Sequence, residues 1–332
     1  MTDGTKKDLY IHVGVHRTAT TAIQATMFRN WKSLKDRGYL YPLGVERHIG
    51  VFNNILNNKK DARDVAAMLA QRAVAHETEI HTLIMSDEDI SMRRDLSQLL
   101  PFREFFNVKI IFGMRRQDLW LESWWAQNVK GQWDRKLCNI SWPDFMAGRA
   151  QFHWIDYDRY LAHLEKLFGQ SNIRPYVFER TQMPRGPIAA FCRQFGLEGG
   201  EGLTTHGGSN ISLCPEVSEF VRHLPLIEAD MGVRLALIEV AEVVDRKVRA
   251  ENGPVLLIPH DERRAIMKEY EAGNRNVARR YFGRDALFLE PLPDRREPVT
   301  TPALPGSSKE LMERMMAPFL EEFVKRANKM LK

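Results

Sequence analysis

The stretch "HVGVHRTATTAIQ", residues 12–24, decides the fold class. It follows the short apolar run "LYI" and leads into sequence with helical spacing, so a glycine leaves a strand just before a helix begins. In that geometry backbone N–H groups and the helix N-terminus converge on an anion. The ATP-binding loop needs GxxxxGK[ST], with a lysine for the terminal phosphates and a hydroxyl for Mg²⁺. Counted from Gly14, Ala19 stands at the second glycine and Thr20 at the lysine, so that motif fails twice. What remains is Gly14, Arg17 and the hydroxyls of Thr18, Thr20 and Thr21, a set suited to one phosphate without a metal. A plain strand-to-helix turn with a cap is the alternative. Ala19 is tolerable if its backbone is helical and obstructs the loop if φ is positive.

Working outward, residues 8–13, 80–86, 108–114 and 173–178 are short apolar runs bounded by polar residues, as buried parallel strands are. Helical sequence lies between them, over about 20–35 and 61–75, at 117–131 with a glycine stop, and in "YDRYLAHLEKLFG". This alternation predicts an α/β fold with a central parallel sheet covered on both faces. Beyond about residue 202 the pattern turns helical, interrupted by a proline-rich stretch at 290–308. The last helix opens with a capping box, Ser307 to Glu310, carries Leu311, Met315, Phe319 and Phe323 on one face, and should kink at Pro318. Residues 8–200 are expected to form the α/β core, and 201–332 a mostly helical region of the same domain.

The chain has 332 residues and 44% hydrophobic content, enough for a full core. Its 48 Lys plus Arg against 43 Asp plus Glu give a net charge of +5, spread along the chain, which does not argue for nucleic acid. Cys138, Cys192 and Cys214 lack metal-ligand spacing and form no disulfide framework. No signal peptide or membrane-spanning run is expected, so a cytoplasmic protein is predicted, with any membrane contact peripheral.

The loop resembles the 5′-phosphosulfate-binding loop of sulfotransferases that use 3′-phosphoadenosine 5′-phosphosulfate (PAPS), in the bacterial form HxGxxKTGTTxxQ. His12, Gly14, Thr18, Thr20, Thr21 and Gln24 match, while Arg17 replaces the lysine and Ala19 the second glycine. Arginine keeps the charge but not the compact ammonium geometry. The family grips the cofactor's 3′-phosphate with a strand-end arginine and a serine eight residues on, and "MRRQDLWLESWW" offers Arg115 and Ser123 at that spacing, with Arg116 as the alternative ligand or a surface charge. Segments at 157–180, around "SNISLCPE" and at "GNRNVARRYFGRDALF" resemble the family in the same order; Asn210 and Ser212 fall where related enzymes fold a loop over the nucleotide. The resemblance implies a P-loop-NTPase-like three-layer sandwich and PAPS as cofactor, released as the bisphosphate PAP, with no metal.

Sulfuryl transfer requires stabilisation of the leaving bisphosphate, assigned to Arg17, and a base for the acceptor hydroxyl. "MSDEDIS" places Glu88 just past the second of these strands as first choice, with Asp87 and Asp89 expected to face other ways; His16 is the rival base or a leaving-group stabiliser. The alternative for "DED" is a helix cap. On the acceptor side Trp120 and Trp124 have helical, core-like spacing, whereas Trp133 and Trp142, beside Arg135, suit stacking on a sugar with acidic groups. The expected acceptor is a glycan or glycolipid precursor. A nucleotide kinase or NTPase with an altered loop, and a non-catalytic nucleotide- or glycan-binding relative, are the other readings.

Overall fold

The computed structural model describes residues 6–200, 202–205, 212–252 and 255–330. Two compact units interleave along the chain: the first holds the described residues of Met1–Arg116, Phe152–Asn210 and Glu269–Glu290, the second those of Gln117–Gln151, Ile211–Lys268 and Pro291–Lys332.

In the first unit the strands are β1 (Asp8–His12), β2 (Tyr39–Leu40), β3 (Thr82–Ser86), β4 (Asn107–Met114) and β5 (Ile173–Val177). They form one parallel sheet in the order β2-β3-β1-β4-β5. Four strands fall where the apolar runs predict them. The two-residue β2 is too short to leave a pattern. Period-two alternation sends side chains to both faces. Tyr10, Ile84, Ile111 and Tyr176 join the core under α1 (Thr20–Arg29), with Ile23, Met27, Ala190 and Phe191. On the other face Phe112 meets Tyr157 and Tyr160 of Tyr157–Phe168, at ring centroids of 5.9 and 4.9 Å. Both faces are therefore covered, as the alternation of strands and helices requires.

The single helix expected over 20–35 is broken. Asn30 ends α1 and a second helix runs Trp31–Asp36. The Asn30 amide donates to the carbonyls of Thr26 (2.7 Å) and Thr204 (2.8 Å) and accepts from the Thr204 N–H (3.0 Å). Such side-chain competition for backbone partners favours a break in the helix. The helix expected at 61–75 is Ala62–Val74, capped by Asp61, which accepts the Arg63 N–H at 2.7 Å.

In the second unit α2 (Gln117–Gly131) spans the predicted residues. It carries a buried ion pair, Asp118 with Arg263 at 2.5 Å, and Glu122 also takes Arg263 at 2.6 Å plus the N–H groups of Leu257 and Ile258. The proline-rich stretch is irregular, apart from a bridge in which the Leu256 N–H donates to the Pro298 carbonyl and the Leu256 carbonyl accepts the Thr300 N–H. At the C-terminus Ser307 caps Glu310 (3.2 Å), as the capping box predicts. The helix then widens to a π turn at Met312–Met316 before Ala317–Met330. Pro318 has no N–H to give and its ring crowds the preceding turn, which a wider turn accommodates. Met315 and Phe319 are buried, while Phe323 is exposed. Among the described residues no helix is long and apolar enough to cross a membrane.

Candidate active site

β1 has β3 on one side and β4 on the other, and the chain fills the β3 side before the β4 side. The C-terminal edge beside β1 is thus the topological switch point, where open α/β sheets bind ligands. Three strand exits meet there: the loop 13–19 after β1, the turn starting at Asp87 after β3, and Arg115 after β4.

The loop stays tied to β4 at first, with the Val13 N–H on the Ile111 carbonyl (3.0 Å) and the Val15 N–H on the Gly113 carbonyl (3.1 Å). Those two donors are committed to the sheet and are not offered to an anion. Gly14 is required twice over. Its φ of +100° suits only glycine, and a Cβ there would lie 3.1 Å from the Glu88 Cβ and 3.2 Å from its carbonyl oxygen. Thr18, buried, donates to the Val15 carbonyl at 2.6 Å and closes the loop on itself. Thr20 is buried at the start of α1 and Thr21 exposed.

Arg17 (φ 68°) and Ala19 (φ 61°) are both left-handed. Ala19 thus has the positive φ rather than the helical backbone named from sequence, and the consequence the structure shows is backbone strain at that residue. The Arg115 guanidinium reaches the same place, donating through Nη1 to the Arg17 carbonyl at 2.9 Å. Burial, reinforced by the Arg115 charge, lowers the Arg17 guanidinium to about 10. Arg17, whose charge burial disfavours, and the half-buried Arg115 lie together at the N-terminus of a helix, where an anion is favoured. Tyr157 fixes the Arg115 backbone: its hydroxyl receives the Arg115 N–H at 3.0 Å and donates to the Arg115 carbonyl.

The acidic turn after β3 departs from the sequence reading. Asp87 and Asp89 do not face away from Glu88; all three carboxylates meet Arg47. Arg47 Nη2 lies 2.7 Å from Asp87 Oδ1 and 2.6 Å from Asp89 Oδ1, and its Nε 3.4 Å from Glu88 Oε2. The reason is the tight turn over Glu88–Met92, which Asp87 caps by accepting the Asp89 N–H, combined with a planar fork that can reach several acceptors. Capping and convergence thus coexist, the cap being Asp87. Glu88 is buried and accepts from Gln24 Nε2 at 2.5 Å. Burial raises the Asp87 carboxyl to about 6 although Arg47 opposes it. Burial also works against ionised Asp89, but His16, with Nε2 at 3.0 Å, and Arg47 together hold it at about 2.

His12 and Gln24 fasten the loop to this turn. His12 Nδ1 lies 2.9 Å from the Ser86 hydroxyl, to which Gln24 Nε2 also donates at 3.2 Å. Burial drives the His12 imidazole down to about 4, against the pull of Glu88.

Gly14, His16, Arg17, Thr18, Ala19, Thr20, Glu88 and Arg115 are therefore brought together in the first unit. Arg47 and Tyr157 were not found from sequence. No periodicity marks Arg47 in "VERHIG", and Tyr157 reads as an ordinary apolar helix position.

The remaining candidates lie in the second unit or outside the described residues. Ser123 is buried on α2. Trp133 is 48% exposed with the Arg234 guanidinium 5.4 Å from its ring centroid, and Arg135 pairs with Glu228 at 2.7 Å. Trp142 is not in a loop: it begins the helix Trp142–Ala147, is 8% exposed, and packs on Trp125 and Phe145 at 5.6 and 5.8 Å, a core position that offers little ring face to a sugar. Trp120 and Trp124 stack in the core at 5.5 Å, as their spacing predicts. The Ser212 carbonyl accepts from Arg249. Asn210 lies outside the described residues. Among the described residues no group of three or more His, Cys, Asp or Glu is arranged to hold a metal ion.

No family model matches the chain. An uncharacterised protein of Archaeoglobus fulgidus is 25% identical over 215 residues, which cover 62% of this chain and 55% of that protein. The chain thus spans about half the length of the curated relative it matches. Among solved structures, a sulfotransferase from Alicyclobacillus acidocaldarius aligns over 70% of this chain and 100% of its own, with a TM-score of 0.39 and 14% identity.

Proposed function

We propose that the chain is a sulfotransferase that moves the sulfuryl group of PAPS to a hydroxyl of an acceptor, a glycan or glycolipid. The convergence of Arg17 and Arg115 at the start of α1 carries this reading. It supplies paired charge and a helix N-terminus for a multiply charged anion. The loop resemblance supports it, as does the close approach of Gly14 to Glu88, which leaves backbone where a side chain would otherwise stand.

In this reading Gly14, Thr18, Ala19, Thr20 and Thr21 form the 5′-phosphosulfate cradle, and Arg115 takes the 3′-phosphate. Ser123, Asn210, Ser212, Trp133 and Arg135 enter on sequence grounds, whereas Trp142 is assigned to packing. The acceptor oxygen attacks sulfur in line as the bond from sulfur to the phosphate oxygen breaks. The bisphosphate leaves with the electron pair, stabilised by Arg17, and the hydroxyl proton passes to Glu88. Positioning and electrostatics dominate such a step. In this reading His16, bonded to Asp89, assists at the leaving group.

The test is transfer of radiolabelled sulfate from PAPS to a panel of glycans. Glu88→Gln should lose transfer by about 100-fold or more while still binding the bisphosphate, and Arg115→Ala should lose the binding. Full transfer by Glu88→Gln would remove the base assignment.

A further inference from the structure

Arg47 is brought to the acidic turn by its neighbour. The His48 N–H donates to the Ser86 carbonyl at 3.0 Å, and the Ser86 N–H donates back to His48 Nδ1 at 3.1 Å. The other ring nitrogen, Nε2, lies 3.0 Å from the Pro42 carbonyl. Burial lowers the His48 proton affinity against these two bonds. The ring therefore stays neutral, accepts at Nδ1 and donates at Nε2. With residue 48 locked on residue 86, residue 47 comes to lie beside residue 87.

We propose that Arg47 is a positioning residue of the site: by gathering Asp87, Glu88 and Asp89 on one guanidinium it fixes the Glu88 carboxylate beside Gly14 and holds Asp89 on His16. The roles of Glu88 and His16 rest on the sulfuryl-transfer reading; the gathering itself does not. Three carboxylates on consecutive residues of a buried turn repel one another, and without a cation they would separate or take up protons. Arginine suits the task because one planar fork reaches Asp87 and Asp89 through Nη2, while its Nε, which donates to Asp87 Oδ1 at 2.8 Å, lies 3.4 Å from Glu88 Oε2. A lysine ammonium carries the same charge without that span. Arg47 is also 28% exposed on its side chain, so it gathers the acids without being sealed in. Other ionisable groups around the turn are His12 at the end of β1, His16 in the loop and Tyr41 ahead of Arg47. His153 belongs to the turn His153–Ile155, which packs on Glu88–Met92.

The test follows the aspartate side-chain carboxyls by ¹³C NMR in the full chain, with no substrate present. Arg47→Met should raise the Asp87 titration midpoint from about 6 by about one unit or more, the effect of losing an adjacent cation. Arg47→Lys should raise it by less. In the transfer assay Arg47→Met should lower kcat by about tenfold or more with KM for the donor within about twofold, as when an interaction of the reacting centre is lost. Arg47→Lys should recover part of that loss. An unchanged Asp87 midpoint in folded Arg47→Met would overturn the proposal. If Arg47→Met does not fold, Arg47→Lys decides, and a midpoint equal to wild type then overturns it. The titration needs no donor or acceptor. A raised midpoint in a protein that transfers no sulfate would therefore count against the proposed function and leave the gathering role standing.

Discussion

Ala19 holds a left-handed backbone at the junction of loop and helix, φ 61° and ψ 26°. For an L-residue this conformation costs roughly 1–2 kcal/mol. Glycine removes that cost but gives back about 0.4–1 kcal/mol through the greater freedom of its unfolded chain. Ala19→Gly is therefore expected to stabilise the protein by up to about 1.6 kcal/mol, read as a higher urea midpoint at an unchanged slope. A lower midpoint would mean that the Ala19 methyl makes contacts worth more than the backbone strain. At this scale the loop residues were legible because each answers a local demand: Gly14 a positive φ, Arg17 a charge, Thr18 a short bond to the carbonyl three residues back. Arg47 was not legible. Its partners lie about 40 residues away, and only the pairing of His48 with Ser86 brings them together.

The strand ends carry opposed titrations. His12 closes β1 with its pKa lowered from 6.5 to about 4 by burial, so its contribution is present above pH 6.5 and is lost as pH falls towards 4. At about 1.36 kcal/mol per unit this loss approaches about 3 kcal/mol. Asp87, just past β3, is raised from 3.8 to about 6, so its ionised form costs stability above pH 6 and the cost is relieved as pH falls towards 3.8. The two effects are similar in size, opposite in sign, and cover nearly the same window. Asp87→Asn removes the relief and leaves the His12 loss. Its unfolding midpoint is therefore expected to fall between pH 7 and pH 4.5 more steeply than that of the wild type. Equal slopes for the two proteins would contradict the account of these strand ends. Four of the five strands among the described residues and the helix Gln117–Gly131 were legible as apolar runs and helical spacing, since burial on both faces leaves a continuous signal. β2 and the break at Asn30 were not, because the first is two residues long and the second depends on Thr204, far along the chain.

At the scale of the molecule the candidate anion site lies within one compact unit, built from three parallel strand exits, while the expected acceptor residues Trp133 and Arg135 belong to the other. Among the six tryptophans within about 35 residues of sequence, helical spacing marks Trp120 and Trp124 as packed, whereas only burial separates the packed Trp142 from the exposed Trp133. In the proposed reading Arg17 and Arg115 form a grip for a ribose-linked bisphosphate. Thermal unfolding in the presence of adenosine 3′,5′-bisphosphate, beside Mg·ATP under the same conditions, tests it most directly. At about 100 times its dissociation constant the bisphosphate should add roughly 2.7 kcal/mol of stability, with no comparable effect from Mg·ATP. Stabilisation by Mg·ATP and none by the bisphosphate would contradict the claim.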